Sequence, residues 1–182
     1  MKVYLTYGFA MALAGSLLAI GLYLLGFHSQ PDKLTTAQII GTTGGLVIGV
    51  ICITLGTQAR RAEVPATEEF GYGRALGTGV MIALVAATFN IGSTFLYCSL
   101  INPGFVDVIV QAQVEKFEAK GMSPAQIEGA EKMIRKFSGP VFQSISGFIG
   151  GLLFGTLISL VTAAILKRPA APEPLDAPPV VN

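Results

Sequence analysis

Four stretches of this sequence, Val3 to Phe27, Ala37 to Ala59, Leu76 to Ile101 and Val141 to Leu166, carry no charged side chain over about the thickness of a bilayer. Helices of about 20 apolar residues, rising ~1.5 Å each, cross the ~30 Å hydrocarbon core with every backbone hydrogen bond made internally. The pattern predicts an all-α fold, a four-helix transmembrane bundle with spans at about 3–27, 37–59, 76–101 and 141–166, surrounded by the lipid bilayer. Composition agrees, since 52% of the 182 residues are hydrophobic and 13% are charged, outside the range of ordinary soluble domains. A cleaved signal peptide is the competing reading of the first stretch, with Ala10, Ala12 and Ala14 imitating a cleavage site. The apolar run continues past them to Leu25, so an uncleaved span is expected.

A formal net charge of +1 offers no concentrated basic surface for phosphates, so nucleic acid is not an expected partner. Cys52 and Cys98 fall inside spans and support no disulfide framework. With one histidine, His28, in the whole chain, neither a metal cluster nor a cofactor site is expected. No His-Glu-x-x-His or Gly-x-Ser-x-Gly motif is present. His28 with Ser144 or Ser146 is the arrangement left for a hydrolase. Serines near a span end ordinarily pack or cap, His28 reads as a solvated loop residue, and the chain is expected not to be an enzyme.

Within the spans, small residues recur one helical turn apart: Gly41, Gly45 and Gly49 in the second, Ala75, Gly79, Ala83 and Ala87 in the third, Gly147, Gly151 and Gly155 in the fourth. Such stripes let backbones approach closely, and they predict helix packing within one chain. A glycine-zipper face for a homo-oligomer, or for an oligomeric pore, is the alternative. Asn90 lies near the middle of the third span, where an amide needs partners. Asn90 and Ser16 form the candidate intramembrane polar site, with Ser16 and backbone carbonyls opposite glycines as the expected partners of Asn90. Charged residues are the usual marks of an ion route, and these spans hold none.

Between the third and fourth spans, residues 102–140 are polar and predict an amphipathic helical hairpin outside the bilayer core. Asn102-Pro103-Gly104 stops the third span, Gly121 ends the first hairpin helix, and Ser123-Pro124-Ala125-Gln126 reads as a capping box opening the second. Phe105, Phe117, Ile127, Ile134 and Phe137 form its candidate apolar surface. Glu128 with Lys132, and Glu131 with Arg135, stand at i and i+4, each pair contributing ~0.2–0.5 kcal/mol when exposed. The apolar faces have three outlets: each other, the membrane surface, or a partner protein. Pro169 to Asn182 is rich in proline and alanine and reads as a disordered tail.

Basic residues tie across the two sides of the membrane. Arg60, Arg61, Lys167 and Arg168 directly abut span ends, which favours both termini in the cytoplasm and the hairpin outside.

Phe70-Gly71-Tyr72-Gly73-Arg74-Ala75-Leu76, then Tyr97 with Ile101-Asn102-Pro103-Gly104-Phe105-Val106-Asp107, then Gly121-Met122-Ser123-Pro124 and the glycine-rich last span resemble the membrane family called domain of unknown function 4199. The resemblance covers nearly the whole chain except the Pro-rich tail. It implies a bacterial, four-span integral membrane protein of the inner membrane, and transfers no catalytic or ligand residue. The expected function is therefore non-enzymatic, with the hairpin serving protein interaction or membrane-surface docking. A small transporter or channel subunit acting as an oligomer is the alternative.

Overall fold

The computed structural model describes residues 1–171. Of the tail expected to be disordered, residues 172–182 lie outside the described residues. The described chain is helical, with α1 at Lys2–Leu24, α2 at Leu34–Ala62, α3 at Tyr72–Leu96, α4 at Phe105–Ala119, α5 at Pro124–Phe137 and α6 at Pro140–Leu166. A short 3-10 turn, Pro31–Lys33, leads into α2, and a π-helical turn, Tyr97–Ile101, prolongs α3. Four segments are long and apolar enough to cross a membrane: Lys2–Leu24, Pro31–Ala62, Tyr72–Ile101 and Pro140–Leu166.

Local chemistry sets the ends. Gly26, at φ +80°, closes α1. Its N–H donates to Tyr23 O at 2.8 Å while that of Phe27 reaches Leu22 O at 2.9 Å, the paired bonds of a Schellman motif that glycine favours. Gly121, at φ +73°, ends α4 in the same way. The expected capping box opens α5, with the Ser123 N–H donating to Gln126 Oε1 at 3.0 Å. Two span starts differ from expectation: α2 begins at Leu34 and α3 at Tyr72, each about one turn early. A helix does not stop where hydrocarbon stops, and the 29 residues of α2 extend ~43 Å at ~1.5 Å each.

Packing is densest at the end of the bundle where α1 starts and α6 stops. Ile53, Ile82 and Ala83 form a buried cluster there, with Tyr4, Tyr7, Met11 and Ile158 against it. Here glycines face neighbours directly: Gly79 meets Ser159, Gly155 meets Ala83, Gly8 meets Val85 and Gly56 meets Ile82. The connection between α2 and α3 closes this end. Phe70 is fully buried with Val64, Ala75 and Ala163. Its backbone exchanges hydrogen bonds with Arg168, at 2.9 Å and 2.8 Å. The Arg168 guanidinium donates to Val64 O at 3.0 Å and Pro65 O at 2.9 Å. Leu17, Leu153 and Ile165 are among many large apolar side chains turned outward, as lipid-facing helices require.

In the hairpin, α4 packs against α5, the Pro31–Lys33 turn and α2. Val110 and Ala112 are buried on α4, whereas α5 buries no residue. Both expected i, i+4 pairs form, Lys132 to Glu128 at 2.8 Å and Arg135 to Glu131 at 3.0 Å. Arg135 also reaches across to Asp107 on α4 at 2.6 Å.

Candidate functional site

At the hairpin end the helices stand apart around a cavity of about 710 Å³. Its walls come from α1 (Gly15 to Leu22), His28 of the following connection, the first part of α2 (Leu34 to Gly45), the last part of α3 with its π-helical turn (Asn90 to Ile101), Phe105 and Ile109 of α4, and Gln143 of α6. It reaches from the hairpin boundary to about the level of Asn90, and no Asp, Glu, Lys or Arg lines it. The polar lining is neutral: Ser16, Gln38, Thr42, Asn90, Ser93, Thr94, Tyr97, Gln143 and His28.

Asn90 and Ser16, the expected polar pair, share this cavity without bonding each other. Ser16 Oγ donates to Ala12 O at 2.8 Å, and Ser93 Oγ lies 3.2 Å from Asn90 Oδ1 and 3.3 Å from Asn90 O. The expected cross-helix tie is thus replaced by bonds within each helix, because the cavity separates α1 from α3 at this level. The Asn90 amide N–H₂ makes no hydrogen bond among the described residues.

The stripe residues divide. Gly79 and Gly155 pack tightly between α3 and α6, and Gly49 lies near Ile158 and Met11. A Cβ on Gly151 would touch Ala87 only at 3.9 Å, and one on Gly41 would touch Leu22 at 3.9 Å. Gly45 and Gly147 face open space. Gly41 and Gly45 are cavity wall, so on α2 the close approach to α1 falls instead to Gly44, against Leu18. Equal spacing along a helix fixes a shared face, not what stands opposite it.

The cavity is closed at the hairpin end by a knot that sequence reasoning missed. His28 is half-buried, which corrects its reading as a solvated loop residue. His28 Nδ1 lies 2.5 Å from Tyr97 Oη, and Asn102 Nδ2 donates to both Tyr97 Oη and His28 O at 3.3 Å. Burial pushes the His28 pKa below the ordinary imidazole value. Tyr97 Oη thus shares one hydrogen bond with His28 Nδ1 and accepts another from Asn102, so each group has a partner. Phe105 lies 5.0 Å from the His28 ring and 5.8 Å from that of Tyr97, with Tyr23 edge-on to Tyr97 at 6.3 Å. The Asn-Pro-Gly sequence supplied the signal, but read only as a helix stop. Asn102 in fact ties the α1–α2 connection to the end of α3.

Ser144, weighed as a partner of His28, donates its hydroxyl to Pro140 O at 2.8 Å. Among the described residues no three His, Cys, Asp or Glu side chains converge to hold a metal. On the hairpin, Phe117, Met133, Ile134 and Phe137 line a shallow groove between α4 and α5, where Phe137 stays 45% exposed, and Ile127 is half-buried. Phe105 belongs to the cavity rather than to the hairpin's outer surface.

A family described as "Protein of unknown function (DUF4199)" matches residues 6–168. Nothing matches among curated proteins or among solved structures.

Proposed function

This chain belongs to the DUF4199 family, and from that premise we propose a bacterial inner-membrane protein that works by binding rather than by catalysis, with its hairpin outside the bilayer core and docked on the membrane surface. One observation carries this reading. The apolar edge of α5 runs without a break into the lipid-facing side of α6. Met133 is 62% exposed and Phe137 45%. The Phe137 ring meets that of Phe142 edge-on at 5.1 Å, and Val141, Phe142 and Ile145 stand exposed on α6. Only Ser138 and Gly139 separate the two helices, so the last turns of α5 are held at the level where the span begins. Lys136 stands beside this edge, its Nζ 6.0 Å from the Phe137 ring centroid, where a long basic side chain reaches headgroups while apolar neighbours enter the acyl boundary. Arg60, Arg61, Lys167 and Arg168 at the opposite end support cytoplasmic termini.

Spin labels at Met133→Cys, Phe137→Cys and Glu128→Cys, with the protein in phosphatidylethanolamine–phosphatidylglycerol vesicles, test the docking. The first two are expected to be accessible to oxygen and shielded from a water-soluble nickel chelate, with Glu128→Cys showing the reverse. Free access of the chelate to all three contradicts docking, and shielding of the first two from both agents assigns the edge to a protein partner.

A small transporter or channel subunit, acting as an oligomer, is the second reading, and the cavity favours it. Asn90→Leu separates the two. Flux through liposomes that is lost while folding is kept supports transport, and loss of folded protein assigns Asn90 to helix packing.

A further inference from the structure

The cavity has a lateral mouth. Gln38, Thr42 and Gly45 line it and are nevertheless exposed, as are Leu96 and Ile101 across from them. Farther along α2, Gly49 meets Ile158 of α6 and Gly56 meets Ile82 of α3. In the stretch that lines the cavity, the glycine contacts of α2 turn to α1, with Gly44 on Leu18 and Gly41 near Leu22. The gap therefore opens between α2 and α3 along segments long and apolar enough to lie in a bilayer, and what enters there comes from the lipid phase.

The walls state what is accepted. A phosphate or carboxylate moved into hydrocarbon needs a cation beside it, and no charged side chain lines this cavity. The walls do carry hydrogen-bonding groups: the Gln38 amide, the Thr42 hydroxyl and the Asn90 N–H₂. At bilayer depth such groups gain from an acceptor oxygen. The room beside them is made by Gly15 and Gly45, which face open space, and the volume of about 710 Å³ lies in the range of small-molecule sites.

We propose that this cavity binds an uncharged lipid, with its ester or hydroxyl oxygens held by Gln38, Thr42 and Asn90 and its chain laid along Gly15 and Gly45. The inference does not depend on where the hairpin docks.

The test uses the full chain in phosphatidylethanolamine nanodiscs, photolabelled with a diazirine-bearing diacylglycerol and, in parallel, with phosphatidylglycerol carrying the same acyl chain. Labelled residues are mapped by mass spectrometry. The diacylglycerol is expected to label peptides around Thr42 and Ser93, with unlabelled diacylglycerol competing. Gly45→Leu, which fills the cavity, lowers that labelling at least tenfold, while Gly147→Leu, facing open space on α6, leaves it unchanged. Should Gly45→Leu lose its folded elution profile, Gln38→Leu takes its place, with the same loss expected. Labelling spread evenly over lipid-facing residues, or unaffected by the cavity variant, overturns the proposal. Equal labelling of the cavity by phosphatidylglycerol overturns its restriction to uncharged lipid.

Discussion

Glycine closes one end of this bundle and opens the other. Where α1 starts and α6 stops, Gly79 and Gly155 bring α3 and α6 together until a side chain on either would collide with Ser159 or Ala83. At the hairpin end, a Cβ on Gly15 or Gly45 would meet no neighbouring element within 4 Å, and both glycines line a cavity. Both ends are latched, by different chemistry. The closed end uses a fully buried ring and backbone pairing, Phe70 with Arg168. The open end uses a polar knot, His28 with Tyr97 and Asn102, that holds connections together while leaving space beneath. A tight interface suits a fixed scaffold, and space beneath a polar clasp suits an occupant.

Variants at the two latches sharpen this contrast, and the closed end is expected to be the more sensitive. Phe70→Ala removes a ring with no exposed surface, a change that ordinarily costs about 3–5 kcal/mol. Denaturant titration in micelles is expected to show a loss of that size, and a loss below about 1 kcal/mol would mean that the connection is no latch. Asn102→Ala leaves Tyr97 Oη and His28 O without their donor. About 1–3 kcal/mol is expected, with faster amide exchange confined to residues near His28 and Phe105. Exchange that quickens equally at Phe70 would erase the distinction between the ends.

Acid acts on the open end alone in the window just below neutrality. Burial lowers the folded pKa of His28, so above the unfolded value of about 6.5 both states are neutral and the histidine adds no pH dependence. Below it the unfolded chain takes up a proton first. Stability therefore falls as pH drops from about 6.5 toward the folded pKa. The thermal midpoint is expected to decline in that window for the native chain and to stay level for His28→Gln; equal declines would place the titration elsewhere. The smallest effect belongs to the outer face of α5. Lys132→Ala breaks an exposed pair with Glu128 worth about 0.2–0.5 kcal/mol, and a midpoint unchanged within error is expected in the same titration.

The spans were legible because hydropathy accumulates over some 20 residues and tolerates local error. The caps at Gly121 and Ser123 were legible because their partners are three to five positions away. The helix starts at Leu34 and Tyr72 precede the apolar pattern, since polar residues continue a helix into the headgroup region without an apolar signal. The polar knot was out of reach for a different reason: Asn102 finds His28 74 positions away, and nothing in a Pro-Gly stop announces a distant carbonyl. Asn90 and Ser16 read from the sequence as a polar pair at depth, and the structure sets them around a shared space instead of against each other. For Gly41 and Gly45 the periodicity was visible and its use was not, because a glycine facing a helix and a glycine facing a cavity have the same spacing.

The most direct measurement compares Gly155→Leu with Gly45→Leu by denaturant unfolding in the same lipid nanodiscs. The side chain added at Gly155 runs into Ala83, an overpacking that costs typically 1–3 kcal/mol, whereas the one added at Gly45 enters open space and is expected to stay within about 0.5 kcal/mol of the native chain. Comparable losses from both would contradict the division of the bundle into a packed end and an open one.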